Sequence, residues 1–313
     1  MKIPTIQKWG DKSYHSLDYE MKRRFGEKVY KISLSGGTTC PNRDGTLDYR
    51  GCIFCSNRGS GDFVSSAYGS VTEQIDREIC RLQKQKRIGH KFIAYFQSFT
   101  GTYAPVSVLR KRYEEAITHP DVVLLSIATR PDCLPDDILR LLAECSRKIP
   151  VMVELGLQTI HADTVSYIRR CYPTEVYDQA VSRLKSIGIE VVTHVIAGLP
   201  GETKEDFLKT VTHAACQKSD GIKLQLLHVL QGTDLAEDYA KHTFDVLSLE
   251  EYLDYITAAL CILPPEIVIH RVTGDGPREL LTAPLWSLDK RHVLNALHQK
   301  MKQENIWQGM SCQ

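Results

Sequence analysis

The sequence has no apolar run long enough to cross a membrane and almost no net charge. A membrane-spanning helix needs about 20 consecutive apolar residues, whereas the apolar runs of this 313-residue chain are short and broken by charges. Its 39 Lys and Arg residues nearly balance 38 Asp and Glu residues, so the basic bias of many nucleic-acid-binding proteins is missing. The segment MKIPTIQKWGDKSYHSLDYEMKRR lacks the apolar core of a secretory signal and carries acidic residues that transit peptides avoid. We therefore expect a cytoplasmic protein with no membrane partner.

Internal repeats, low-complexity segments and the glycine fingerprint of a dinucleotide-binding turn are also missing. The chain instead alternates apolar, β-branched runs with amphipathic helical patterns. The runs predict strands over residues 29–35, 91–97, 122–128, 151–157, 190–199, 222–230 and 266–272. The patterns predict helices over residues 70–87, 136–147, 164–187, 203–216 and 248–263. This alternation predicts a parallel sheet that is covered on both faces.

Local signals mark where two of these helices begin and where one ends. Capping boxes open them at Ser70-Val-Thr-Glu73 and Ser248-Leu-Glu-Glu251, and Pro264-Pro265 stops the second helix. We expect an α/β fold, a partial (β/α)6 TIM-type barrel over residues 28–231. An N-terminal arm over residues 1–27 precedes the barrel. A helical and strand extension over residues 232–313 is expected to cap its open side.

Three cysteines fall in one polar loop after the first predicted strand. In α/β barrels, chemistry gathers in the loops that follow the carboxyl ends of the strands. Cys52 and Cys55 can bind one metal centre through a tight turn, and Gly45 and Gly51 permit the bend that brings Cys40 to it. Ten cysteines in a chain without a secretion signal favour metal ligation or buried thiols over a disulfide framework.

Three interpretations of this loop compete. Unrelated buried thiols explain two cysteines two residues apart in a polar loop poorly. Structural zinc needs four ligands, and no other cysteine or histidine lies between His15 and Cys80. A 4Fe–4S cluster on three thiolates leaves one iron open for the amino and carboxylate groups of a small molecule. The missing fourth ligand therefore favours a cluster over zinc.

Eleven residues separate Cys40 from Cys52 and two separate Cys52 from Cys55, with Phe54 before the last cysteine. This pattern resembles the radical S-adenosylmethionine (SAM) superfamily, and the wide first gap is typical of its Elp3-like branch. Within that branch the chain is similar to a bacterial family with further ordered motifs. They stand here at residues 40–45, 52–55, 59–63, 96–105, 129–134, 154–159, 194–200 and 270–277. The resemblance covers nearly the whole chain.

The resemblance implies a radical SAM barrel with two cofactors, one 4Fe–4S cluster and SAM. Cys40, Cys52 and Cys55 are then the metal ligands and the catalytic residues. The cluster passes an electron to the sulfonium of SAM, and the resulting 5′-deoxyadenosyl radical abstracts a hydrogen atom from the substrate. The residues implied for SAM binding are Gln97, Thr100, Arg130, Glu154, Gln158, His194, Gly198, Leu199 and Pro200.

For several of these residues the sequence leaves a structural alternative open. Arg130 can form a salt bridge with Asp132 or Asp136 instead of binding the methionine carboxylate. Glu154 and Gln158 can form a buried polar pair that satisfies loop backbone. His194 can be a hydrogen-bonded core histidine.

The family is associated with tRNA wobble uridine, including conversion of its 5-carboxymethylaminomethyl group to 5-aminomethyl. The resemblance therefore implies tRNA as a partner and reduced flavodoxin or ferredoxin as electron donor. Basic residues at 22–24 and Arg169-Arg170 are candidates for phosphate binding, and Arg169, Arg271 and Asp275 for substrate contact. Two alternatives stay open: a radical SAM enzyme for a small metabolite or peptide, which the near-neutral charge favours, and a non-catalytic zinc-binding module. Cys171 stands where much of the family carries histidine, so no role is carried over to it.

Overall fold

A computed structural model describes residues 7–59, 61–62, 69–85 and 87–312. Ser60 and Phe63, both within the motif at residues 59–63, lie outside the described residues. No helix among the described residues is long and apolar enough to span a membrane.

Every run that the sequence predicts as a strand forms one. The main sheet has seven strands in the order β1-β2-β3-β4-β5-β6-β8, one more than the predicted six. They are β1 (Tyr30–Leu34), β2 (Phe92–Phe96), β3 (Val122–Thr129), β4 (Val151–Gln158), β5 (Glu190–Ala197), β6 (Gly221–Leu226) and β8 (Val268–Arg271). The predicted run at 222–230 is split, because its end leaves the main sheet as β7 (Val229–Leu230) and pairs antiparallel with β9 (Leu281–Ala283).

Helices follow most of these strands. They are α1 (Leu17–Phe25), α2 (Val71–Gln85), α3 (Val106–Thr118), α4 (Asp136–Ser146), α5 (Ala162–Tyr167), α6 (Thr174–Ser186), α7 (Lys204–Cys216), α8 (Asp234–Ala240), α9 (Leu249–Ile262) and α10 (Lys290–Gln303). The sequence patterns missed α3. The single helix predicted at 164–187 is wrong, because the chain breaks between α5 and α6, where Pro173 precedes the new helix. Both predicted capping boxes are confirmed by reciprocal hydrogen bonds at Ser70 and Ser248.

The chain divides into two compact units. One consists of Met21–Gly156 and Arg169–Val192, and its strands β1 to β4 pair in parallel. Strand β2 is buried along its whole length because it lies between β1 and β3. The sequence period places Val71, Ile75, Ile79 and Leu82 on one face of α2. The first three are buried, as predicted, whereas Leu82 is only half-buried.

The other unit consists of the described parts of Met1–Glu20, Leu157–Ile168 and Thr193–Gln313. Its strands β6 and β8 also pair in parallel. Helix α7 begins at a capping box in which Thr203 and Asp206 bond each other's backbone. Most predicted site residues of this unit lie in or just after β5 and at or after the end of β8, near the carboxyl ends of strands, where barrel enzymes place their chemistry.

Candidate radical SAM site

The cysteine loop after β1 is held by its own backbone. The amides of Arg43 and Asp44 donate to the carbonyl of Cys40, at 2.8 and 3.2 Å. The amide of Cys55 donates to the carbonyl of Cys52 at 3.0 Å, which closes the turn between them. Local hydrogen bonds therefore order both the backbone that follows Cys40 and the turn from Cys52 to Cys55.

Arg43 clamps the second turn. Its Nη2 donates to the carbonyls of Cys55 and Ser56 at 2.9 and 2.8 Å. Gly51 lies against this guanidinium with a φ of 78°, and an added Cβ would stand 2.8 Å from Arg43 Nε. Gly51 is thus required both for the left-handed backbone and for the close approach of Arg43.

The sulfur of Cys52 receives an amide hydrogen bond. Asn42 is fully buried, and its Nδ2 donates to Cys52 Sγ at 3.6 Å and to the carbonyl of Arg169 at 2.7 Å. The pKa of the Cys52 thiol is raised well above its ordinary value by hydrogen bonding to Cys55 and by burial, while the charge of Arg130 and the amide of Asn42 act to lower it. These two neighbours favour the thiolate that metal binding requires.

The donor set fits an iron–sulfur cluster. Thiolate sulfur is the cluster's ligand, and N–H donors to that sulfur are among the groups that tune it. Asn42 supplies such a donor, and its Oδ1 is buried without a hydrogen-bond partner among the described residues. In the described part of the chain, no three His, Cys, Asp or Glu side chains are grouped to hold a metal ion. The thiolates of a four-iron cluster bind separate irons, so they need not meet around one ion.

Arg130, at the end of β3, is fixed by Asp132. Its Nε and Nη2 donate to the two carboxylate oxygens at 2.9 and 2.7 Å, and its guanidinium lies 4.8 Å from the Tyr172 ring centre. Burial acts to lower the pKa of Arg130, but the bonds to Asp132 outweigh it and raise the pKa. The salt bridge between Arg130 and Asp132, which the sequence left open as an alternative, is therefore formed. SAM binding by Arg130 stays a prediction.

The loop after β2 is tightly packed. Ser33 Oγ donates to Gln97 Oε1 at 2.8 Å, and the amide of buried Thr100 donates to the carbonyl of Thr39 at 3.2 Å. At Gly101 an added Cβ would stand 2.7 Å from the carbonyl oxygen of Ala128. Gly101 therefore allows this loop to lie against β3.

Glu154 has no solvent exposure at its side chain and is already engaged. Lys31 Nζ lies 2.6 Å from its Oε1, and Ser126 Oγ donates to the same oxygen at 2.7 Å. Lys31 also lies 4.2 Å from the Tyr95 ring centre. These contacts favour a structural role for Glu154. SAM binding by Glu154 stays a prediction.

Gln158 ends β4 in a strained conformation. Its φ is 59°, and the amide of Thr159 donates to the carbonyl of Leu157 at 2.7 Å across it. A non-glycine residue with positive φ costs free energy, and such strain concentrates at functional sites. This observation supports a ligand role for Gln158 more than for Glu154.

The loop between α5 and α6 borders the cysteine loop. Its carbonyl at Arg169 accepts from Cys52 Sγ at 3.8 Å and from Cys171 Sγ at 3.3 Å, and both Arg169 and Cys171 have positive φ. Arg170 is 1% exposed and its guanidinium lies 4.7 Å from the Tyr172 ring centre. Because Arg170 is buried, it offers no exposed guanidinium to a phosphate, and this observation speaks against a phosphate-binding role for it.

The predicted site residues in and after β5 belong to the other unit. His194 Nδ1 lies 3.2 Å from Gln225 Nε2, which is the hydrogen-bonded arrangement that the sequence left open. The turn at residues 198–200 is formed by Gly198 with a φ of 80° and by Leu199, which is 2% exposed. Backbone contacts to a cofactor remain the expectation for this turn.

Arg271 and Asp275, at the end of β8, form a charge cluster with Lys290, which the sequence did not join to them. Lys290 Nζ lies 2.8 and 2.7 Å from the two carboxylate oxygens of Asp275, and Arg271 Nη2 lies 3.6 Å from one of them. Burial lowers the pKa of His228 to about 4; the charge of Asp275 acts to raise this pKa, and the charge of Arg271 acts to lower it further. One sign in the sequence could have identified Lys290 as part of this cluster, namely a basic residue at the start of a helix.

A cavity of about 820 Å³ adjoins the loops after β2 and β3. Its lining includes Thr102, Tyr103, Asp132 and Cys133 of these loops, the start of α3, and residues of α4 and α6. Because Asp132 also fixes Arg130, a ligand in this cavity would contact the support of a predicted cofactor residue.

Comparison with known proteins assigns the family. Residues 34–214 match the family described as "Radical SAM superfamily", and residues 219–303 match the "Radical_SAM C-terminal domain". The chain is 43% identical to "Uncharacterized protein YtqA" of Bacillus subtilis, over 96% of this chain and 92% of that protein.

Two further similarities are more distant. A "tRNA uridine(34) acetyltransferase" of Methanocaldococcus jannaschii is 29% identical over 163 residues, which are 51% of this chain and 29% of that protein. The solved structure of Elp3 from Methanocaldococcus infernus aligns with a TM-score of 0.68 and 17% identity, over 90% of this chain and 64% of that chain. The structural similarity confirms the predicted α/β partial-barrel fold.

Proposed function

The chain belongs to the radical SAM superfamily, whose members bind a 4Fe–4S cluster and SAM, and from this premise we propose that it modifies tRNA wobble uridine. The proposed reaction converts the 5-carboxymethylaminomethyl group to 5-aminomethyl. Its main support is the similarity of half the chain to tRNA uridine(34) acetyltransferase, together with the fold shared with Elp3.

In this proposal Cys40, Cys52 and Cys55 hold the cluster. Cluster and SAM, once bound, would supply a 5′-deoxyadenosyl radical that takes one hydrogen atom from the methylene carbon between the amine and the carboxylate. Loss of one further electron, which the cluster would take back, and of a proton would leave a carbon–nitrogen double bond. Hydrolysis of this bond by water would release the two carbons as glyoxylate and leave the 5-aminomethyl group. The chain's own residues shape and fix the site: Arg43 holds the cysteine turn, and Asn42 donates to the Cys52 sulfur. Asp132 fixes the guanidinium of Arg130, which is proposed to meet the SAM carboxylate.

Analysis of tRNA nucleosides tests the proposal. Deletion of the gene should raise 5-carboxymethylaminomethyluridine and deplete 5-aminomethyluridine and its derivatives in hydrolysed tRNA, as measured by mass spectrometry. Wild-type protein should restore the profile, while the Cys52→Ala variant should not. Cys80→Ala is the matched control, because Cys80 is an exposed thiol of α2.

Two outcomes contradict different parts of the proposal. An unchanged wobble-uridine profile in the deletion strain would overturn the tRNA substrate. Anaerobically purified protein that carries stoichiometric zinc in place of iron would overturn the cluster, because thiolate sites can hold either metal.

A further inference from the structure

One carboxylate in the loop after β8 is shared by two cations. Asp275 lies between Lys290, which contacts both of its oxygens, and Arg271, which lies 3.6 Å from one of them. The three side chains are 36%, 41% and 34% exposed, respectively. One negative and two positive charges leave a net positive charge that a ligand can reach.

The position of Lys290 adds to this positive field. It is the first residue of α10, and the amino end of a helix carries partial positive charge. A lysine is unfavourable there unless an anion lies close by. Two anions lie close by: Asp289, the N-cap of α10, accepts from the His292 amide at 2.9 Å, and Asp275 pairs with Lys290 itself.

A neutral imidazole stands beside the cluster. His228 Nε2 is buried and has no hydrogen-bond partner within the described residues. An added Cβ at Gly274 would stand 3.0 Å from His228 Cε1, so Gly274 lets the loop approach the ring. A buried unpaired nitrogen costs free energy, which a ligand with an N–H group would recover.

The side chain of the proposed substrate matches these groups. It carries a carboxylate and, two bonds away, an amine nitrogen with N–H. We propose, on the basis of the function proposed above, that Arg271 and Lys290 bind this carboxylate in place of Asp275, and that His228 Nε2 accepts from the amine N–H. The product lacks the carboxylate, so the same cations would favour its release.

Binding of matched RNAs tests this assignment. Two anticodon stem-loop RNAs, identical except for 5-carboxymethylaminomethyl or 5-aminomethyl at the wobble uridine, are titrated with cluster-loaded protein and followed by fluorescence anisotropy. Wild-type protein should bind the carboxylated RNA about tenfold more tightly, as a charge-assisted hydrogen bond allows. Arg271→Met and Lys290→Met should reduce this ratio to near one.

The controls separate binding from folding. Lys241→Met, at an exposed lysine after α8 in the same unit, should keep the wild-type ratio. Asp275→Asn retains Arg271 and Lys290 but removes the carboxylate that pairs with them. Because the carboxylate of the RNA then has no competitor for these cations, the affinity for the carboxylated RNA should increase. A folding defect would not produce that increase.

The outcomes also separate this assignment from the proposed function. If wild-type protein prefers the carboxylated RNA and both Met variants keep that preference, the assignment is overturned while the function stands. The assignment is also overturned if Asp275→Asn weakens binding of the carboxylated RNA as much as Lys290→Met does. The function itself is judged by the nucleoside profile of the deletion strain.

Discussion

The Lys31 and Glu154 pair offers a quantitative test of whether Glu154 is structural. Glu154 is fully buried, whereas the side chain of Lys31 is 22% exposed, and their charged atoms are 2.6 Å apart. Removing one partner of a buried pair leaves the other charge uncompensated, which costs about 3–5 kcal/mol. Replacing both partners removes that penalty.

The two single substitutions should not cost the same. Lys31→Met leaves a carboxylate with no solvent contact, so we expect a loss of about 4 kcal/mol in the free energy of unfolding. Glu154→Gln leaves an ammonium that water can reach, so we expect about half that loss. The double variant should be more stable than Lys31→Met alone, because a coupling of about 3 kcal/mol would leave it with a loss of about 3 kcal/mol.

Urea denaturation followed by circular dichroism measures these differences. A loss of about 4 kcal/mol lowers the midpoint by more than about 1 M at the slopes typical of proteins. Calorimetric SAM titration of cluster-loaded protein provides the second readout. An unchanged midpoint for Lys31→Met, together with lost SAM binding in a stable Glu154→Gln variant, would refute the structural role.

Two further predictions concern single residues. Because burial lowers the folded-state pKa of His228 from 6.5 to about 4, its stabilisation is present above pH 6.5 and is lost as the pH falls toward 4. Across that pH range, the free energy of unfolding of His228→Gln, measured by urea titration, should therefore fall by up to about 3 kcal/mol less than that of the wild type. Equal decreases in the two proteins would contradict burial of His228 as the cause. Gly101→Ala should lower the melting temperature by several degrees and weaken SAM binding, because its Cβ meets the Ala128 carbonyl. Gly36→Ala is the control, since its Cβ meets nothing closer than 3.4 Å, and equal effects would contradict the clash.

Most of the fold could be predicted from local pattern. The seven apolar runs form strands because β-branched alternation is a local property of the chain. The boxes at Ser70 and Ser248 mark true helix starts because the bonds lie within one turn. The break between α5 and α6 could have been predicted from Pro173, whereas the positive φ of Arg169 and Cys171 within it has no sequence signature in non-glycine residues.

The sequence by itself identified the three cysteines as members of one predicted metal-binding loop, because two of them are close along the chain and a glycine-bearing loop joins the third to them. It also identified Arg271 and Asp275 as neighbours in one turn. Only the tertiary structure decided which charges are already paired. Lys31 lies 123 residues from Glu154, and Asn42 lies 127 residues from Arg169. Spatial partners at such separations are set by strand order and packing, which local periodicity does not encode.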